Sequence, residues 1–311
     1  MSNQQIAFVF PGQGSQSLGM LGEFKEQAVV QQTFQEASEV LGYDLWQLIA
    51  EGPAEQLNET HRTQPALLAA SIAMWRLWQT QSKHLPVYVA GHSLGEYSAL
   101  VAANALDFKI AVKLVEKRGQ LMQQAVPAGV GKMAAIIGVE DDVIKQACVQ
   151  ASQGEVVAPV NFNSPGQVVI AGNADGVTRA MEALKDGGAR VLPLSVSVPS
   201  HCQLMQPAAD AMRQELDNIE IRTPQISLIN NVDVAIETAA DAIKDALVRQ
   251  LYNPVRWTET VELLAAKGIN QVVECGPGNV LCGLIKRIDK TIDAHRVAKK
   301  AFFNQAVEAL S

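Results

Sequence analysis

Ser93 stands at the centre of Gly91-His92-Ser93-Leu94-Gly95, and this pentapeptide is the most reactive-looking feature of the 311-residue chain. A short β-prone apolar run, Leu85 to Ala90, precedes it, and a run of helix formers, Glu96 to Ala103, follows. Strand, G-x-S-x-G and helix in that order are the context of a nucleophile elbow, a tight turn that lifts the serine hydroxyl clear of a sheet. The flanking glycines permit the strained backbone that such a turn needs. The helix start behind the serine aims backbone N–H groups and a partial positive charge at any oxyanion formed there.

A nucleophilic serine needs a base, and the chain offers five histidines. His92 adjoins the serine, so the turn should direct its ring away from the hydroxyl. His84 enters the elbow strand at the wrong end, His61 follows the polar stretch Asn58-Glu59-Thr60, and His295 lies in the charged stretch from Asp289 to Lys300. His201, in Val198-Pro199-Ser200-His201-Cys202, falls where a cleft-facing residue is expected, and hydrolase-like sheets carry their histidine well after the serine. The plainer alternative is a helix cap.

Arg118 falls on the apolar stripe of a helix capped by Asp107, three residues after Val115 and four before Met122. A guanidinium there either snorkels to the rim or clamps a substrate carboxylate. The turn Pro11-Gly12-Gln13-Gly14-Ser15-Gln16 fails as a dinucleotide loop, because Ser17 occupies the place of the third glycine or alanine. It can instead present a backbone N–H that completes an oxyanion hole with Leu94.

These residues need a framework, and the strand and helix patterns alternate as in an α/β fold with a mostly parallel, hydrolase-like sheet. Gln5 to Phe10 reads as a strand, Pro65 to Gln79 as a helix, and strands recur at Ile226 to Asn230 and Gln271 to Cys275. In between, strands at Met133–Val139, Glu155–Asn163, Val168–Gly172 and Ala189–Val196 alternate with helices at Asp141–Ser152 and Ala174–Gly187. That βαββαβ order is ferredoxin-like. The expected organisation is a large α/β catalytic domain, residues 1–126 and 199–311, with a small ferredoxin-like subdomain, 127–198, inserted in it. A cleft between them would open beside the elbow.

Composition narrows the function classes. The chain is 48% hydrophobic with net charge -7, which disfavours nucleic acid as the main partner. It has no run of ~18 apolar residues to span a membrane. The four cysteines are widely spaced, so neither disulfides nor a zinc site is suggested, and the chain reads as cytoplasmic.

Several blocks occur in one order: Phe8-Val9-Phe10-Pro11-Gly12-Gln13-Gly14-Ser15-Gln16, the elbow with Glu96-Tyr97, Lys117-Arg118-Gly119, Asn161-Phe162-Asn163-Ser164-Pro165-Gly166-Gln167, Pro199-Ser200-His201, Tyr252-Asn253-Pro254-Val255-Arg256-Trp257 and Glu274-Cys275-Gly276-Pro277-Gly278. In this the chain resembles the malonyl-CoA:acyl carrier protein transacylases of bacterial fatty-acid synthesis over nearly its whole length. The resemblance implies malonyl-CoA as substrate, acyl carrier protein as partner, and no metal, cofactor, nucleic acid or membrane. The chain is expected to be a monomer. Position by position it implies Ser93 as the acylated nucleophile and His201 as its base. Arg118 would grip the free malonyl carboxylate, and the N–H groups of Gln13 and Leu94 would form the oxyanion hole. The main-chain carbonyl of Gln250 would orient the histidine where other triads use a carboxylate, and Asn161 and Asn163 would line the site. The competing readings are a serine esterase or thioesterase, a polyketide-type acyltransferase, and a non-catalytic carrier-binding scaffold.

Overall fold

The computed structural model describes residues 5–127, 129–194 and 198–310. One sheet runs in the order β7-β2-β1-β8-β9, formed by Ser227–Ile229, Tyr88–Gly91, Ile6–Phe10, Gln271–Glu274 and Asp293–Arg296, and every neighbouring pair is parallel. The second runs β4-β5-β3-β6, formed by Val157–Ser164, Gln167–Asn173, Gly131–Ile137 and Arg190–Pro193, and every pair is antiparallel. With helices Asp141–Ser152 and Ala174–Asp186 between its strands, this second sheet is the anticipated ferredoxin-like βαββαβ unit.

A parallel sheet must be covered on both faces, and β1 shows how this one is. Ile6, Phe8 and Phe10 point into one apolar cluster, Ala7 and Val9 into another. On the first face the long helix Thr60–Gln81 brings Trp75 and Trp78 edge-on to Phe8, with ring centroids 5.3 and 5.1 Å away. On the second, helices Trp257–Ala266 and Val280–Ile288 supply Trp257, Val261, Leu281 and Ile285.

Some sequence expectations shift. The helix expected from Pro65 starts at Thr60, so His61 lies in its first turn and Pro65 lies inside it. Proline is costly there because it cannot donate to the preceding turn, but the buried apolar residues that follow outweigh that local preference. The elbow strand begins at Tyr88 rather than Leu85, because Leu85 and Val87 are exposed. The expected strand Ala189–Val196 is seen as Arg190–Pro193, and its residues 195 and 196 lie outside the described residues. The edge strand β9 was not anticipated, since Asp293-Ala294-His295-Arg296 lacks an apolar run.

The two sheets are joined along β4, an edge strand that tolerates Pro159. Its register shifts between Pro159 and Asn161, and again between Phe162 and Ser164. There the main chain leaves β5 to bond the other lobe: Val255 N–H donates to Val160 O at 2.9 Å and Phe162 N–H to Val255 O at 3.0 Å. Irregularities of this kind re-aim side chains beside functional sites.

The elbow depends on one very close approach. A Cβ on Gly95 would lie 2.0 Å from the carbonyl oxygen of Phe10, the last residue of β1. Gly95→Ala therefore forces the elbow helix off the sheet. The expected loss is about 3 kcal/mol or more, at the upper end of overpacking costs. Gly283 is the control: it sits on the exposed face of the helix Val280–Ile288 with nothing within 4 Å of a Cβ. Gly283→Ala should raise stability by about 0.5–1 kcal/mol. Thermal unfolding followed by circular dichroism checks both signs, and equal effects would contradict the close-approach argument.

Candidate active site

The loops that leave the carboxyl ends of β1, β2 and β7 lie side by side, because these three strands are parallel neighbours in the sheet. This is the usual ligand position in open α/β sheets. A cavity of ≈ 390 Å³ opens there, lined by Gln13, Ser93, Leu94, Arg118 and His201 from the large lobe and by Asn161 and Asn163 from β4. Every site residue read from the sequence borders this cavity except Gln250, which lies directly behind it.

Ser93 adopts φ 53°, in the left-handed region that non-glycine residues rarely visit. Its Oγ lies 2.7 Å from His201 Nε2. On the other side of the ring, His201 Nδ1 lies 2.7 Å from the main-chain oxygen of Gln250. A carbonyl only accepts, so Nδ1 carries the proton and Nε2 is free to receive the serine's. Gln250 ends the helix Ala240–Gln250. The last carbonyls of a helix have no partner within it and carry its negative dipole end. One such carbonyl thus accepts from Nδ1 here, in the place a carboxylate occupies in other triads. His201 N–H also donates to Leu251 O at 3.0 Å, which fixes the residue's backbone at φ 64°. With both ring nitrogens engaged, the helix-cap alternative falls away.

Two further residues were given no role by sequence reading. Asn231, in the loop after β7, accepts the Ser93 N–H at 2.7 Å through Oδ1 and donates through Nδ2 to Gly91 O at 2.6 Å. It therefore brackets the strained turn. Glu96, buried in the first turn of the elbow helix, accepts the Asn231 N–H at 3.0 Å and the Gln250 side-chain amide at 2.8 Å. No local pattern marks either role. As anticipated, His92 turns from the hydroxyl, with Nε2 2.8 Å from Asn163 Oδ1 across the cleft. Asn161 Oδ1 is buried with no hydrogen-bond partner among the described residues.

Gly12 packs against the elbow so tightly that a Cβ there would sit 2.4 Å from His92 O. This contact carries Gln13 to the cavity wall. Among the described residues, neither the Gln13 N–H nor the Leu94 N–H has a hydrogen-bond partner. Leu94 immediately precedes the helix Gly95–Ala102, whose dipole favours negative charge at that end.

Arg118 does not snorkel, being 2% exposed. Its Nη1 donates to Gln64 Oε1 at 2.9 Å and its Nη2 to Gln250 Oε1 at 3.0 Å, and it packs 5.5 Å from the Tyr97 ring. No carboxylate lies within ion-pair distance of it among the described residues. Burial lowers its pKa against the support of Tyr97 and Glu96. A buried cation held by neutral acceptors beside an open cavity is arranged to receive an anion. Burial, and then the Arg118 charge, also push His201 down to about 3, so its imidazole is neutral near pH 7. Among the described residues no three His, Cys, Asp or Glu side chains converge as metal ligands.

A family described as the acyl transferase domain matches residues 7–301. The malonyl CoA-acyl carrier protein transacylase of Escherichia coli (strain K12) is 58% identical over 98% of this chain and 99% of its own length. Among solved structures, an acyl carrier protein S-malonyltransferase from Vibrio cholerae superposes with a TM-score of 0.95 at 62% identity, covering 97% of this chain and 99% of that one. A malonyl-transacylase solved in complex with a type II polyketide acyl carrier protein gives a TM-score of 0.97 at 58% identity, covering 98% and 100%. The chain belongs to the malonyl CoA-acyl carrier protein transacylases, enzymes built on the acyl transferase domain.

Proposed function

We propose that this enzyme moves the malonyl group of malonyl-CoA to the pantetheine thiol of acyl carrier protein through a malonyl ester of Ser93. The observation that carries the reading is the buried Arg118 beside a serine–histidine pair, since malonyl is an acyl group with a free carboxylate to offer it. His201 Nε2 takes the Ser93 proton as Oγ attacks the thioester carbonyl. The oxyanion is received by the Gln13 and Leu94 N–H groups, each worth about 10²–10³ in rate by the measure of comparable donors. The carbonyl of Gln250 and the helix end behind it stabilise the imidazolium that results. His201 returns the proton to the departing CoA sulfur. The carrier's thiol then repeats the sequence on the ester, with His201 again as base, and the two half-reactions share one site.

This reading needs malonyl-CoA as substrate and no metal or cofactor. It places the enzyme in the cytoplasm as a monomer, with residues 127–198 as a small subdomain over the large one, 1–126 and 199–311. No helix among the described residues is long and apolar enough to cross a membrane. The likeness to a transacylase that serves a polyketide carrier keeps that pathway as a second reading, with the same chemistry and a different carrier.

Radiolabel supplied as malonyl-CoA should appear on carrier protein. Release chiefly as free malonate would mark a thioesterase and overturn the assignment. In the same assay Arg118→Ala should cost malonyl transfer about 2–5 kcal/mol, as when one partner of a buried charge pair is lost. Acetyl transfer should fall far less, because acetyl presents no carboxylate. Equal losses would make Arg118 structural.

The pH dependence follows from His201. Only its neutral form can take the serine proton, and its pKa lies far below the ordinary 6.5. Activity dependent on it is therefore retained as pH falls through the ordinary range and is lost only near the lowered value. The rate of malonyl loading at about pH 5.5 should stay within roughly twofold of that at about pH 7.5. A histidine titrating at 6.5 would instead lose roughly tenfold over that span, and stopped-flow loading measured across the range decides between them.

A further inference from the structure

The reaction as derived uses no carboxylate of the protein, yet one is buried between the two groups that matter most. Glu96 is 1% exposed. Its Oε2 accepts two protons: the Asn231 N–H at 3.0 Å and a Gln250 Nε2 proton at 2.8 Å. Each donor belongs to a residue with a second task. Asn231 brackets the elbow, accepting the Ser93 N–H and donating to Gly91 O. Gln250 holds the His201 ring by its main-chain oxygen, while its side chain also donates to Ser93 O at 3.1 Å and accepts from Arg118. Among the described residues, one carboxylate oxygen is thus the only atom that bonds both the clamp on the nucleophile and the residue that orients the base.

We infer that Glu96 is a positioning residue for the Ser93–His201 pair, its Oε2 locking Asn231 and Gln250 together so that the serine main chain and the carbonyl behind the histidine keep a fixed separation. This rests on the reading of Ser93 as nucleophile and His201 as base. The groups facing the carboxylate suit an acceptor more than a fixed charge. Arg118 lies on one side, and Tyr97 and Asp233 are its other charged or titratable neighbours. Burial raises Glu96 to about 7, against the opposing pull of Gln250, Asn231 and Arg118. Near neutral pH the carboxyl is therefore poised between its two forms, whereas both hydrogen bonds reach the same oxygen. An amide oxygen in the same place can accept both bonds, and a methyl can accept neither.

The test uses a fluorophosphonate that carries no carboxylate, so that it reports on Ser93 and His201 without calling on Arg118. Wild type should label once per chain, on Ser93. Glu96→Ala should still reach one label per chain, but with a rate constant lower by about 10- to 100-fold, the range met when outer partners of metal-bound histidines are removed. Glu96→Gln should label within about threefold of wild type, because it keeps the acceptor oxygen. A wild-type rate in Glu96→Ala overturns the inference. So does a lowered end-point at unchanged rate constant, which would show only a loss of folded protein. Equal slowing in both variants would assign the effect to charge and also overturn it. Should Glu96→Ala not fold, Gln250→Met cuts the same link while leaving the main-chain carbonyl, and is expected to label about 10- to 100-fold slower; a wild-type rate there counts against the inference. Absence of label on Ser93 in wild type would instead sink the reading of the reaction on which this rests.

Discussion

His201 is oriented by a main-chain oxygen, and much of the structure answers to that. A side-chain carboxylate can be placed by its own rotamer, but the Gln250 carbonyl goes only where its backbone goes. The helix Ala240–Gln250 must therefore end at this point and no other. Its end is secured from several directions. Leu251 O receives the His201 N–H, the Gln250 amide reaches Ser93 O and Glu96, and the amide oxygen receives Arg118. Both polar atoms of that side chain and the main-chain carbonyl are committed, so Gln250 joins Ser93, His201 and Arg118 in one buried network. Such networks are rigid when fully satisfied and costly when one member is lost.

Charge explains the rest of the arrangement. Arg118 is withdrawn from water and given neutral glutamine oxygens as partners, so its field stays available to an incoming anion instead of being spent on a permanent ion pair. The same field helps keep His201 neutral, the state a base requires. In the proposed reaction, specificity for a carboxylate-bearing acyl group and readiness of the base would thus have one source. Among the described residues the backbone donors of Gln13 and Leu94 have no internal partners on the cavity wall, and they add no net charge that would compete with Arg118.

What could be read from the sequence was what local rules control. The elbow declared itself because glycines, strand and helix are contiguous there, and His201 emerged by elimination among few histidines. Arg118 stood out as a cation on an apolar stripe, although choosing between rim and cavity needed the neighbouring Gln64 and Gln250. The βαββαβ unit was legible because its alternation of strand and helix is regular. The network behind the dyad was not. Asn231 is 138 residues from Ser93, and Glu96 acts on a residue 154 positions away, so neither role leaves a local pattern. Gln250 was reachable only through family resemblance, since a main-chain oxygen is common to every residue type. The early start of the helix at Thr60 was hidden by Pro65, a local breaker overruled by burial.

Transfer by the proposed route requires Ser93 to carry the malonyl group between its two owners. Rapid mixing of the enzyme with malonyl-CoA in the absence of carrier protein, followed by acid quench, proteolysis and mass spectrometry, tests this directly. The mass of one malonyl group should appear on the peptide containing Ser93, and it should vanish when acyl carrier protein is added before the quench. An unmodified Ser93 peptide, or a malonyl group found on another residue, would contradict the account.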